Sequence, residues 1–411
     1  MNARLPFIVV LAVATAITTA KGTAEIVYPP YLAGYGYALT VIGFLTSLFA
    51  VMQLASRVPV GVAYRTERAK RQYALALVTF GLTTSGFAFA DGQPVPVVVL
   101  SLLHGFAFGA LGTLGLALAI DVSGGQRAGW SMAWYTAAIS TGYALGSLIG
   151  GSLADVIGIP GTFGVIGLLP IFSALAILAL PRLEGAPLEH DRGKGIAGLF
   201  QASRRLDSRV WLAVVIVIYI NVLWDSLDTF FPVFAPSIGM SLAIVGVLRA
   251  VKSGAGIFIR FVVPVLLTVV DYRLLATFAV FAAAAGMIVL PLSTAVAVMV
   301  PIFIVLGFAR GVLRATSAAT IAELRREGRD VGLASGVYNA GLDIGSIIGP
   351  TIGGAVANAF GIAPMFQIVA AGSLVAWLAV ALSTPKTRAA SGLGRERSYH
   401  SISSNAADHE R

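Results

Sequence analysis

GYALGSLIGGSLADVIG, Gly142–Gly158, is written a second time as GSIIGPTIGGAVANAFG, Gly345–Gly361. Gly142, Gly146, Gly150, Gly151 and Gly158 return at a constant offset of 203 residues as Gly345, Gly349, Gly353, Gly354 and Gly361. The offset also pairs Pro29 with Pro232, Gly43 with Gly246, Arg57 with Arg260, Gly129 with Gly332 and Tyr135 with Tyr338. With one residue of slippage, GFAFG from Gly105 becomes GFARG from Gly307. An offset that persists over so much of the chain, and keeps Pro, Arg and Tyr as well as Gly, marks a duplicated body.

The composition says where that body lives. The chain is 57% hydrophobic and 11% charged, against roughly 25% charged residues in a soluble domain. It carries too much apolar surface for one water-soluble core and belongs in a bilayer. There is no cysteine, which excludes disulfides, thiolate metal sites and thiol catalysis. His104, His190, His400 and His409 are scattered, so no metal site is expected, and no cofactor.

Continuous apolar segments run at about 5–30, 39–63, 73–90, 95–119, 128–154 and 160–181, then at about 209–232, 240–266, 274–293, 297–320, 331–356 and 362–384. Each is long enough, or nearly so, for the roughly 20 residues of a spanning helix. Alternating ten-residue strands, the mark of a barrel, are missing. The expected fold is an all-α membrane protein of twelve transmembrane helices in two six-helix bundles related by the repeat. Arg4 before an apolar run that ends near Ala20 has the look of a signal peptide, but the repeat partner of Pro29 marks the run as a structural helix.

The net charge of +9 could suggest nucleic acid, yet its placement is one-sided. With the N-terminus inside, the cytoplasmic connections hold Arg65, Arg68, Lys70, Arg71, Arg127, the cluster from Arg182 to Arg209, Arg273, Arg325, Arg326 and Arg329. The tail adds Lys386, Arg388, Arg395, Arg397 and Arg411, whereas the opposite connections hold no Lys or Arg. That asymmetry puts both termini in the cytoplasm, in a plasma-membrane protein. The expected division is a first bundle at 1–182, a cytoplasmic linker at 183–208, a second bundle at 209–385 and a disordered tail at 386–411. Within the linker, 196–205 could instead lie on the membrane surface as a short basic amphipathic helix.

Two six-helix halves in parallel repeat, joined by one long cytoplasmic linker, resemble the major facilitator superfamily of transporters. The glycine-rich element resembles that family's GxxxGPxxGG, with Pro350 in the second copy and Ser147 in the first. RVPVGVAYRTERAKR, Arg57–Arg71, is similar to the family's loop GxxxDRxGRR: Arg65 and Arg68 fit, Gly61 falls one residue late, and Tyr64 stands in place of the Asp. The resemblance implies an alternating-access carrier of a small organic solute, with no partner beyond solute, protons and the bilayer, as a monomer that binds no nucleic acid. It makes the Arg65 and Arg68 loop a gate, although these bases, with Lys70 and Arg71, also suffice as topology determinants. It also implies that helices 1, 4, 7 and 10 line a cavity while helices 3, 6, 9 and 12 stand outside. Glu25 four residues before Pro29 looks like some proton-coupled drug exporters.

Glycines at four-residue spacing let helices approach closely. Gly142, Gly146, Gly150, Gly345, Gly349 and Gly353, with Pro350, are expected either to form a face for rocking contact or to pack tightly without motion. Charges inside the spans are costly unless paired or hydrated. They are the acids Glu25, Asp225, Asp228 and Asp343 and the bases Lys21, Arg57, Arg249, Lys252, Arg260, Arg310 and Arg314. Lys21 with Glu25, Asp225 with Asp228, Arg249 with Lys252, and Arg310 with Arg314 each share a helix face. An excess of bases suggests an anionic solute or an anionic lipid headgroup, with Lys21, Arg249, Lys252, Arg310 and Arg314 as the binding residues. The four acids are the candidate proton carriers, since arginine does not readily lose its proton. The competing reading makes the same charges structural ion pairs. Arg57 and Arg260 are expected to snorkel or brace helix ends, and His104 to be packed or to relay protons. HExxH, GxSxG, GxxxxGK and paired-cysteine signatures are missing, so an enzyme is not expected. A transporter-like receptor or assembly protein, docking a partner through the tail, is the second class of reading.

Overall fold

The computed structural model describes residues 4–65, 67–122, 128–180, 208–326 and 331–383. Among these every long element is a helix: α1 (Arg4–Gly34), α2 (Leu39–Ala63), α3 (Ala69–Gly86), α4 (Pro94–Val122), a run Ala128–Ala179, α7 (Ser208–Ser237), α8 (Leu242–Val269), α9 (Tyr272–Val289), α10 (Val296–Arg326), α11 (Val331–Phe360) and α12 (Ile362–Ser383). Gly158, at φ 77° and ψ 165°, breaks the run into α5 (128–157) and α6 (159–179). An L-residue rarely adopts that backbone, which explains a glycine there and at its repeat partner Gly361, φ 91°. Twelve helices result. Among the described residues, nine helical runs are long and apolar enough to cross a membrane, the unbroken Trp130–Ala179 stretch counted as one.

The described residues up to Leu374 belong to one compact unit, and those from Val375 on belong to a second. The expected linker and tail, and the amphipathic helix suggested at 196–205, lie outside the described residues apart from Ser208. The first segment is a helix of the bundle, with Pro29 and Pro30 inside it, as Pro232 is inside α7.

The repeat is visible in the packing. α1 lies along α5 as α7 lies along α11, and α2 packs on α4 as α8 packs on α10. Thr23 donates to the Gly146 carbonyl at 3.0 Å, and its repeat partner Ser226 donates to the Gly349 carbonyl at 2.8 Å. A Cβ on Gly150 would come within 2.8 Å of Thr23 Cα, one on Gly345 within 2.7 Å of Asn221 Cβ, and one on Gly349 within 2.8 Å of the Val222 carbonyl. Gly142 and Gly146 likewise lie against Thr18 and Thr19, and Gly353 against Phe230 and Ser226. These glycines therefore bring together helices of one half and not the two halves.

The contact between halves uses other glycines of the same repeat. A Cβ on Gly43 would strike the Pro350 carbonyl, and one on Gly246 would strike the carbonyl of Ser147, the repeat partner of Pro350. Gly354 abuts Leu39 and Gly151 abuts Leu242, again a repeat-related pair of contacts. Ser47 donates to the Ile347 carbonyl at 2.7 Å and accepts from Thr351 at 2.8 Å. Backbones can meet this closely only where there is no side chain to intervene. The crossings α2 to α11 and α5 to α8 seal one end of the interface. Gly61 is not at a close crossing: its Cβ would meet only Thr113, at 3.8 Å.

Candidate functional site: a charged cavity between the halves

Between the halves lies a cavity of about 570 Å³. All four acids and all seven bases identified inside the spans line it. The sealed end closes it on one side, and toward the other it continues as far as Ala14, Gly112 and Arg314. The lining draws on α2, α5, α8 and α11 as well as α1, α4, α7 and α10.

The charges sort into three groups. In the first, Lys21 lies 3.5 Å from Glu25, and Arg249 reaches Glu25 at 3.2 Å and Asp228 at 3.4 Å. Lys252 is in contact with the same Asp228. Glu25 and Asp228 are repeat partners, so one guanidinium on α8 ties together the equivalent acids of α1 and α7, across the two halves. Lys21 also stands 4.9 Å from the ring centroid of Phe49 and 5.4 Å from that of Phe108, within cation–π range. Lys21, Arg249 and Lys252, candidate residues for holding solute, each lie against one of these acids, as buried cations require partners.

In the second group, Arg57 on α2 meets Asp343 on α11 at 3.0 Å, again across the halves. Repeat symmetry suggested matching structural roles for Arg57 and Arg260, and the two diverge here. Arg57 has a carboxylate opposite it, whereas Arg260 belongs to the third group, with Arg310 and Arg314. Close crossings of α8 and α10, where Gly307 abuts Lys252 and Gly311 abuts Gly256 and Ile259, bring these three bases side by side. Asp225 is the acid nearby, and Arg310 lies 3.8 Å from Asp228.

His104 is buried among Phe49, Phe80 and Phe87 and lies 3.3 Å from the Thr84 hydroxyl, which is the packed alternative. It borders the cavity from an aromatic wall on the first half that includes Tyr28, Phe49, Phe108 and Phe163. In the loop after α2, Tyr64 donates to Asp121 at 2.5 Å. The carboxylate missing from the loop is thus supplied from the end of α4. Arg65 reaches the Tyr64 carbonyl at 3.1 Å, and Arg68 precedes the first turn of α3.

Some acids escaped the sequence assignment of charges because the helices run past the apolar segments. Asp121 lies inside α4, and Asp155 inside α5. Asp155 accepts from the backbone N–H groups of Leu242 at 3.2 Å and Ala243 at 2.9 Å, capping α8 from the other half. Ser241 caps Ile244 at 3.4 Å, so the first three amides of α8 are satisfied.

Repeat-related helical halves around one charged cavity, sealed at one end, have the build of a membrane solute carrier. The chain belongs to the major facilitator superfamily, whose family model matches residues 9–327 and again 273–405. An uncharacterised MFS-type transporter of Schizosaccharomyces pombe is 28% identical over 127 residues, a match that spans 31% of this chain and 28% of that protein. A bacterial homologue of the human lysosomal transporter Spinster, in an inward-facing and unoccupied conformation, superposes with TM-score 0.73 at 14% identity over 92% of this chain and 94% of its own. The nucleoside transporter NupG superposes with TM-score 0.77 at 13% identity over 94% and 100%. At such identities the likeness is one of fold. The membership places the chain in the membrane among transporter-type proteins.

Proposed function

We propose that the protein is a proton-coupled secondary transporter of a small organic anion, working by alternating access with both termini in the cytoplasm. One observation carries the reading: every charge buried in the spans converges on a single cavity between the halves, and the bases outnumber the acids seven to four. With the basic connections inside, the sealed end faces out and the cavity faces the cytoplasm.

Glu25 and Asp228 share Arg249, so protonating either acid removes one of the two anchors on that guanidinium. Such a charge exchange costs little when solvent or solute replaces the lost anchor, and much when neither does. Proton binding and solute binding are then linked through one guanidinium, and reorientation of the halves breaks or remakes the Glu25 arm. Exporters and importers can both be built this way, the sign being set by whether solute and proton share a crossing.

The test is flux into proteoliposomes with and without an imposed proton gradient. Asp228→Asn is expected to abolish gradient-driven accumulation while solute exchange persists, and Glu25→Gln to do the same more weakly because Asp228 still holds Arg249. Full gradient-driven accumulation by both variants would overturn the coupling assignment.

A further inference from the structure

Charge accounting, carried out group by group, separates two parts of the cavity that composition cannot distinguish. Arg57 and Asp343 cancel. Lys21, Arg249 and Lys252 against Glu25 and Asp228 leave a surplus of one. Arg260, Arg310 and Arg314 have Asp225 nearby and a share in Asp228, 3.8 Å from Arg310, so the larger part of the positive surplus lies on the facing sides of α8 and α10. Like charges gathered in a poorly hydrated site repel strongly, and yet the helix contacts at Gly307 and Gly311 bring them together.

The arginines also have donors to spare. Nε of Arg260 and Nε of Arg314 are buried and make no hydrogen bond among the described residues, and the same is true of Nη1 of Arg249. A buried donor without an acceptor is destabilising, and all three side chains line the cavity. The missing acceptor must bring several oxygens and about two negative charges. A phosphate monoester meets both needs, with a charge of about −1.5 to −2 at neutral pH, and planar guanidinium groups match its oxygens bidentately. A single carboxylate carries only one negative charge and would leave more of the positive surplus uncompensated. On the first half the cavity is lined by Phe108, which is half-buried, and by the buried Phe49.

Resting on the anion-transport reading, we infer that Arg260, Arg310 and Arg314 form the head-group site for a doubly charged phosphate-type oxyanion whose apolar body lies toward Phe108, the half-buried aromatic side chain that lines the cavity on the first half. The volume of about 570 Å³ suits an aryl phosphate. A phosphate monoester could reach the site from water or from the bilayer, and the head chemistry is the same in both cases.

The test uses the full chain in phosphatidylcholine nanodiscs, titrated calorimetrically with naphthyl phosphate, naphthoate and naphthol. Naphthyl phosphate is expected to bind roughly tenfold or more tightly than naphthoate, and naphthol more weakly still. Arg260→Gln and Arg314→Gln are each expected to weaken naphthyl phosphate by about 10- to 100-fold, the range for one lost hydrogen bond to a charged group, with little change for naphthol. Should those variants not fold, Arg260→Lys and Arg314→Lys keep the charge but lose the planar fork, and the preference for phosphate over carboxylate should shrink. Displacement of naphthyl phosphate when phosphatidic acid is added to the nanodiscs would support the site with a lipid source, and retention would support it with a soluble one. Equal affinity for naphthoate and naphthyl phosphate, or unchanged binding by both folded glutamine variants, would overturn the inference. Proteoliposome counterflow keeps the two readings apart. If naphthoate is carried and naphthyl phosphate is neither carried nor bound, anion transport stands and the phosphate site falls; if naphthyl phosphate binds and no anion is carried, the reverse holds.

Discussion

Asp155→Ala removes a helix cap that joins the two halves, and its effect can be sized. The Asp155 carboxylate accepts two backbone N–H groups at the start of α8, at 3.2 and 2.9 Å, from a position on α5 in the other half. Loss of a helix N-cap costs about 0.5–2 kcal/mol. Asp155 is solvent-exposed, so water replaces part of the lost bonding and screens the charge, which points to the middle of that range, about 1 kcal/mol. The halves gain nothing from this cap once they part at the sealed end, so the whole loss falls on the sealed state. One kcal/mol shifts a two-state ratio about fivefold at room temperature. Spin labels on Gln93→Cys and Thr294→Cys, exposed positions on the two halves, report the separation by pulsed dipolar spectroscopy. Asp155→Ala should raise the weight of the long-distance population about fivefold, and Asp155→Asn, which keeps an acceptor without the charge, should fall between. An unchanged distribution in Asp155→Ala would refute the capping contact as a determinant of closure.

Gly246→Ala should prevent sealing outright, because its Cβ would run into the Ser147 carbonyl; the same labels should show mainly the long distance, with transport lost and the melting temperature of the purified protein little changed. Gly349→Leu should cost folding or expression as well as transport, since Gly349 packs within a half against Val222 and not between halves, and normal expression with normal transport would count against that crossing. Asp343→Asn should destabilise the apposition of α2 and α11 near Arg57, and the exchange Arg57→Asp with Asp343→Arg should recover transport that either single change loses. Cysteines at Gly34, Gln93 and Ser293 should be labelled by an impermeant reagent from outside and one at Gly193 should not; the opposite pattern would invert the orientation.

Much of this protein is determined by sequence alone, for reasons that are local. A bilayer demands long apolar helices, so twelve runs of about the right length define the helices. Duplication preserves offsets, so the repeat declares itself through Gly142 and Gly345. A charge inside a span is expensive wherever it points, which is why all eleven charged residues of the cavity could be found without coordinates. Pairing is a different matter, since it depends on which faces meet across hundreds of residues. Nothing in a one-dimensional pattern joins Arg57 to Asp343, sets Asp155 under the first turn of α8, or distinguishes glycines packed within a half from Gly43 and Gly246 between halves. The same holds for Arg260: alike with Arg57 by the repeat, it is set apart by tertiary packing, which gives Arg57 a carboxylate and leaves Arg260 among arginines. Sequence determined the membrane, the duplication and the list of charges; the packing of one half against the other decided which of those charges cancel and which remain to meet a solute, because electrostatic energy depends on distance in space and not along the chain.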